Sequence, residues 1–254
     1  MKRHIPQIIT LLNLFCGCVA VVFAVLNKLE WAAFFVFLGI VFDFFDGLAA
    51  RMLEAQSELG VQLDSLADMV TSGVVPGIVM FQLLAMSQTG GWNLEMGEVS
   101  ADSAHHAISI SVLPFFGFLI TLASAYRLAK FNIDEDQLTS FIGLPTPANA
   151  LLILSIPLIL LNQGNDYVNG ILLNPWFLVG LTLLSCYLLN AHIPLFALKF
   201  KNWSFKDNAH RYIFLIISLV LLLTMSYMAI PGIVLLYILS SVLYNIGEKQ
   251  RQKT

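Results

Sequence analysis

An all-α membrane bundle of about eight transmembrane helices is the fold class this sequence predicts, on three observations. Of its 254 residues, 58% are hydrophobic and only 11% charged, against roughly 25% charge in an ordinary soluble domain. Apolar stretches recur at 7–27, 30–50, 62–86, 106–128, 145–163, 174–192, 210–227 and 229–247, each close to the roughly 20 residues that a helix needs to cross the hydrocarbon. Placing the N-terminus inside leaves only Lys28 in the outer segments. The inner ones then hold Lys2, Arg3, Arg51, Arg127, Lys130, Lys199, Lys201, Lys206, Arg211, Lys249, Arg251 and Lys253. Cytoplasmic loops are enriched in this way, so both termini are expected in the cytoplasm.

The first stretch follows a basic start, as a signal peptide would. It is long enough to span and lacks a small-x-small cleavage site, so it is read as a retained helix. Pro6, Thr10, Asn13 and Gly17 fall on one of its faces, a polar and small stripe that suits either a ligand or an interhelical hydrogen bond. The second and third stretches carry the acidic residues treated below. A polar connector is expected at 87–105. The fourth stretch closes on Arg127, Lys130 and Asn132, which suit anion binding or serve as topology charge. FIGLPTPANA, with two prolines and a glycine, is a rigid non-helical lead into the fifth, a lid, a wall or a plain loop. Met228 to Gly232 supply the turn between the last two, because Pro231 cannot continue a hydrogen-bonded helix.

The chain reads as one transmembrane domain, 1–254, without repeats or low-complexity tracts. Cys16, Cys18 and Cys186 match no zinc or disulfide framework. His4, His105, His106, His192 and His210 form no helical ligand pair. A net charge of −3 without a basic patch sets nucleic-acid partners aside.

Asp43, Asp46, Asp64 and Asp68 interrupt this hydrocarbon-soluble pattern. A charged side chain at a helix centre costs about 2.5–3.5 kcal/mol, so such residues mark function by default. The string reads D-x2-D-G-x2-A-R-x8-G-x3-D-x3-D from Asp43 to Asp68 without a gap. At 3.6 residues per turn, Asp43, Asp46 and Ala50 share a face with Gly47 beside them, while Gly60, Asp64 and Asp68 form a second stripe. Two antiparallel helices joined by Met52 to Leu59 bring the stripes together. Clustered carboxylates repel, and divalent cations resolve the conflict. Oxygen-only ligands suit Mg2+ or Mn2+, and two adjacent ions could clamp a diphosphate. Gly47, Ala50 and Gly60 remove bulk where a nucleotide would approach the backbone, or else allow tight helix packing.

This string resembles the signature of the CDP-alcohol phosphatidyltransferase superfamily at eight positions, Asp43, Asp46, Gly47, Ala50, Arg51, Gly60, Asp64 and Asp68. The resemblance implies that Asp43, Asp46 and Asp64 are metal ligands and that Asp68 is both ligand and general base. It implies a CDP pocket lined by Gly47, Ala50, Arg51 and Gly60, with Thr10 and Asn13 as candidate contacts from the first helix. Arg51 serves equally as a positive-inside anchor. IPQIITLLNLFCG, LDSLADMVTSGVVPG, YRLAKFNI and FIGLPTPANA are similar to the integral-membrane phosphatidylserine synthases of this superfamily. That likeness covers residues 4–150, an expected catalytic core with the motif at 43–68, and fades over the additional helices of 151–254.

Its implied function is transfer of the phosphatidyl group of CDP-diacylglycerol to L-serine at the cytoplasmic face of the membrane, releasing CMP. Arg127, Lys130 and Asn132 would bind the acceptor or the donor phosphates, and a homodimer is the implied assembly. The competing readings are the same chemistry on glycerol 3-phosphate or inositol phosphate, and an ion-coupled transporter with the aspartates in its pathway.

Overall fold

The computed structural model describes residues 4–89, 112–133, 141–195 and 205–251. The connector expected at 87–105 lies almost wholly outside these residues, as do His105, His106 and the terminal cations Lys2, Arg3 and Lys253. Lys199 and Lys201 also fall outside.

Helix α1 (His4–Val25) and helix α2 (Leu29–Met52) form an antiparallel hairpin. The chain reverses at Asn27, whose φ of 56° is the left-handed conformation that asparagine tolerates. Ala20 and Ala24 of α1, with Ala32, Ala33 and Gly39 of α2, are buried. Small side chains at these positions let the two backbones approach closely in a membrane setting. Gln82 closes the far end by donating its side-chain amide to the carbonyls of Ala24 at 3.1 Å and Val25 at 3.3 Å.

A five-residue connector leads to α3 (Glu58–Asp68), which Ser57 caps by accepting from the Gly60 amide at 3.1 Å. The helix passes through a π-helical segment, Met69–Val74, into α4 (Val75–Thr89). Thr121 donates to the Gly73 carbonyl inside this segment at 3.0 Å. Val75, Val79, Met80, Leu83 and Leu84 of α4 are wholly enclosed, making α4 the axis of the bundle. Around it, α1, α2, α5 (Phe118–Ile133), α6 (Thr146–Asn162) and α8 (Pro175–Asn190) supply one continuous apolar core. Outward-facing Phe15, Phe34, Phe37, Leu219 and Leu223 are exposed, as a lipid-facing surface requires.

The short helix α7 (Asp166–Leu172) meets α8 at a 55° bend. Helices α9 (Phe205–Met225) and α10 (Ala229–Arg251) pack against each other at the periphery, with Phe214 and Tyr237 ring centroids 5.7 Å apart. Their break falls at Ser226–Met228, where Ser226 has φ 48°, slightly before the turn expected at Met228 to Gly232. Pro231 sits instead in the first turn of α10, where its missing amide costs no helical bond.

Four stretches are long and apolar enough to cross a membrane, at 4–25, 29–52, 58–88 and 211–245, and the bent α7–α8 pair makes a fifth. The chain is thus an all-α membrane protein. The stretch expected at 106–128 enters α5 only at Phe118, after a 3-10 turn at Leu113–Gly117, and continues to Ile133. Pro114 breaks the pattern early, and Arg127, Lys130 and Asn132 belong to the closing turns of α5. FIGLPTPANA is non-helical only as far as Pro145, because Pro147 fits the first turn of α6, which begins at Thr146; the part before it is held by backbone pairing. Phe141–Ile142 (β1) pairs antiparallel with Pro194–Leu195 (β2), Gly143 donates to the Ile193 carbonyl, and Leu144 donates to that of Leu188. Gly143 takes φ 74° there, with the Leu189 carbonyl closing off any side chain.

Candidate active site

Hairpin α2–α3 carries the acidic string, and the connector between them is short enough to set the two stripes face to face. Asp43, Asp46 and Asp64 each direct one carboxylate oxygen to a common point, all within 4.8 Å of one another. Asp43 and Asp64 share a side-chain hydrogen bond. Two carboxylates in such contact must share a proton or a cation. A divalent cation would satisfy the pair with both groups ionised, and an all-oxygen donor set suits a hard metal. The residues therefore fit a divalent metal centre. Among the described residues no histidine or cysteine joins this group.

Asp46 is buried, and its Oδ2 lies 2.5 Å from the Thr10 hydroxyl, which also reaches the Pro6 carbonyl at 3.0 Å. Thr10 thus acts on the carboxylate as well as standing on the wall of the neighbouring cleft. Asp68 lies outside that 4.8 Å group but within electrostatic reach of Asp43, Asp46 and Asp64. One helical turn beyond Asp64, about 6 Å along the axis, its Oδ1 accepts from the Asn13 amide at 3.4 Å. Asn13 is completely enclosed and accepts at Oδ1 from the Thr71 hydroxyl at 2.8 Å. Its place is an interhelical bridge, and it does not line the cleft expected to take CDP. Gly17 and Gly39 make this bridge possible. A Cβ at Gly17 would stand 2.5 Å from the Thr71 hydroxyl, and one at Gly39 would stand 2.8 Å from the Asn13 side-chain oxygen.

A cleft of about 580 Å³ opens beside the carboxylates. Thr10, Asp46, Gly47, Ala50, Gly60 and Asp64 line it together with Pro6, Gln7, Gln56, Ser57, Glu58 and others of the connector. The tight-packing account of the small residues fails at Gly47, where an added Cβ would meet nothing nearer than Arg51 at 3.8 Å. Gly47 leaves space toward the cleft, whereas Gly17 and Gly39 are the residues that close packing demands. Arg51 is exposed and does not line the cleft. Its Nε donates to the Gly47 carbonyl at 2.9 Å, which fixes the side chain along the α2 surface. Gln7, Gln56 and Ser57 were missed by the sequence reading. Gln7 was within reach of it, lying three residues before Thr10 and beside Pro6.

The three polar residues of α5 separate. Lys130 approaches His192, with Nζ 3.4 Å from Nε2. Asn132 accepts from Ser65 at 3.0 Å and donates to Gln62 at 3.4 Å, latching α5 onto α3. Arg127 alone is buried beside Asp68, within its electrostatic reach.

This fold and this carboxylate cluster define a class. Residues 3–186 match the family model of the CDP-alcohol phosphatidyltransferases, and the chain belongs to that family. It is similar to the CDP-diacylglycerol–serine O-phosphatidyltransferase of Bacillus subtilis (strain 168), 35% identical over 149 residues that make up 57% of this chain and 70% of that protein. The enzyme of the same name from Saccharomyces cerevisiae is 31% identical over 169 residues, 60% of this chain and 53% of its own length. The one from Mycobacterium bovis is 27% identical over 198 residues, 75% of this chain and 60% of its own. The chain thus spans little more than half the length of some of these relatives.

Proposed function

We propose that this protein transfers the phosphatidyl group of CDP-diacylglycerol to the hydroxyl of L-serine, forming phosphatidylserine and CMP. The observation that carries the reading is the cluster of Asp43, Asp46 and Asp64, of which Asp46 and Asp64 line a cleft together with Gly47, Ala50 and Gly60. The relatives' shared name supplies the acceptor.

Asp43, Asp46 and Asp64 would hold one or two divalent ions, Mg2+ or Mn2+. When bound, such ions neutralise the diphosphate and the charge that develops on the leaving group. The cleft takes the CDP head while the diacyl chains stay in the bilayer. Thr10 holds Asp46 in its orientation. Asp68, held by Asn13, would complete the metal site and receive the proton of the serine hydroxyl as general base. That oxygen forms a bond to the lipid-side phosphorus, the bridging P–O bond breaks, and CMP departs with the electron pair. No covalent enzyme intermediate is needed.

The topology we propose has eight passes, counting α9 and α10 separately and α5 and α6 as spans. Both termini and the cleft then face the cytoplasm, as the lysine and arginine distribution requires. Residues 1–150 would form the catalytic core and 151–254 the additional helices. The assembly implied by the family resemblance is a homodimer.

The test is CMP release by the purified protein in detergent, given CDP-diacylglycerol, Mn2+ or Mg2+, and one alcohol at a time. Serine-dependent release with phosphatidylserine as product supports the reading. Release with glycerol 3-phosphate or inositol phosphate alone would replace the acceptor but keep the chemistry. No release with any alcohol from folded protein would return the aspartates to an ion pathway.

A further inference from the structure

Fully enclosed polar groups are almost always hydrogen-bonded, because an unmade bond forfeits the solvation that burial removed. In the π-helical segment that follows Asp68 and in the helices packed against it, this chain breaks that rule several times. Asn149 is completely buried, and neither its Oδ1 nor its Nδ2 has a partner among the described residues. The Ser72 hydroxyl and the Arg127 Nε are in the same state, with Ser72 at 0% and Arg127 at 9% exposure.

These orphaned groups lie on elements that pack together. Ser72 belongs to the π-helical segment, four residues after Asp68. Helix α5, which carries Arg127, and helix α6, which carries Asn149 near its start, both pack against that segment. Arg127 is within electrostatic reach of Asp68 on one side and Tyr237 on the other. Tyr237 of α10 packs in one cluster with Ala148 and Leu152, which flank Asn149 in α6. None of Ser72, Arg127, Asn149 and Tyr237 lines the cleft assigned to the nucleotide. The cleft is lined by α1, α2, the connector and the start of α3, whereas the orphaned groups sit on the π-helical segment, α5 and α6.

We propose that Arg127, Asn149 and Ser72 form the acceptor subsite, Arg127 receiving the carboxylate of a β-hydroxy amino acid and the oxygens of Asn149 and Ser72 its ammonium. This inference rests on the phosphatidyl-transfer reading above. A guanidinium matches a carboxylate in a bidentate fork, and amide and hydroxyl oxygens accept from an ammonium. Bound this way, a small zwitterion pairs the Arg127 guanidinium, Asn149 Oδ1 and the Ser72 hydroxyl and leaves its own hydroxyl toward Asp68. A phosphorylated acceptor would demand further buried cations. Lys130, the other cation of this helix end, is engaged with His192 instead. The subsite also gives the later helices a role in choosing the acceptor, since Asn149 and Tyr237 lie far outside the acidic string.

The experiment compares L-serine with ethanolamine, which lacks the carboxylate, and 3-hydroxypropionate, which lacks the ammonium. Apparent affinities come from turnover, or from inhibition of serine turnover where an analogue is not consumed. The full chain is used with CDP-diacylglycerol and Mn2+, as wild type and as R127M, R127K and N149L. Sites built around polar partners reject analogues that lack them, so wild type should favour serine over both. R127M should raise the KM for serine by roughly tenfold or more and leave the affinity for ethanolamine and the KM for CDP-diacylglycerol unchanged. R127K should recover part of that loss. N149L should weaken serine and ethanolamine together and spare 3-hydroxypropionate. Ratios between acceptors within one preparation do not depend on the fraction folded. A raised KM for CDP-diacylglycerol in R127M, with serine selectivity intact, would place Arg127 on the donor phosphates and overturn the proposal. Selectivity unchanged in N149L would assign its amide to structural water, also overturning it. Wild type inactive with every alcohol would instead sink the transfer reading itself.

Discussion

The Thr10 hydroxyl lies 2.5 Å from Asp46 Oδ2, across the α1–α2 interface and 36 residues away in sequence. One hydroxyl proton serves this carboxylate, and both residues are buried, so the bond orients Asp46 while it is ionised. Partners of this kind around metal-binding carboxylates are worth about 10–100-fold in metal affinity or activity. Thr10→Val keeps the shape and removes the donor. The expected result is a rise of that order in the Mn2+ concentration needed for half-maximal CMP release, with Thr10→Ser close to wild type. An unchanged metal requirement in Thr10→Val would show that the hydroxyl only fills space.

Asp43 and Asp64 approach closely enough to share a hydrogen bond. Without a cation this contact opposes folding, because a second charge must be neutralised or tolerated. Asp43→Asn retains a donor toward Asp64 and removes one charge. We expect the variant to be more thermostable than wild type in chelator, by about 1 kcal/mol or roughly 2–4 °C in a chain of this size, and to lose activity by at least about 10²-fold. Added Mn2+ should stabilise wild type and leave Asp43→Asn little changed. Melting curves in detergent with and without metal check both statements, and a destabilised apo variant would contradict the crowding of charge.

How much of this was legible beforehand follows from how local each signal is. The α1–α2 and α3–α4 passes and the facing stripes of Asp43, Asp46 and Asp64 were readable, because hydropathy and the 3.6-residue period act over a few turns. The Asn13 bridge was not. Its partners Asp68 and Thr71 are 55 and 58 residues away, and the polar stripe of α1 allowed a ligand contact equally well. Pairing of β1 with β2 joins two-residue segments more than 50 residues apart, too short to leave a periodic pattern. No residue type announces the π-helical turn after Asp68, and the late end of α5 was masked by Lys130 and Asn132, which resemble loop residues until Gln62 and Ser65 are placed opposite.

Gly17 and Gly39 test whether the bridge is a matter of space. A methyl group at either position would press on Thr71 or on Asn13, and overpacking of this kind costs about 1–3 kcal/mol. Gly17→Ala and Gly39→Ala should each lower stability by that amount and reduce turnover as well, since the displaced side chains hold Asp68. Gly180 of α8 is the control, with nothing within 4 Å of an added Cβ. Gly180→Ala should be neutral or gain up to about 1 kcal/mol from reduced chain entropy. Chemical denaturation in mixed micelles gives the comparison, and equal effects at all three positions would remove the steric argument.

Asn13 then separates positioning from nucleotide binding. Its side chain is enclosed and spent on Asp68 and Thr71, and it is absent from the wall of the cleft. A residue that contacts CDP would act on donor affinity, whereas one that holds the general base acts on the step in which the proton moves. Asn13→Ala leaves the Asp68 carboxylate unsupported and free to rotate toward the other three. General-base contributions run to about 10²–10⁴-fold, and misplacing the base forfeits part of that. We expect turnover to fall by about 10–100-fold while the KM for CDP-diacylglycerol and the affinity for CDP stay within about twofold. The measurement is a pair of saturation curves, one in CDP-diacylglycerol and one in serine, alongside direct CDP binding. Loss of CDP affinity with turnover preserved at saturation would move Asn13 into the nucleotide pocket and leave Asp68 without its partner's role.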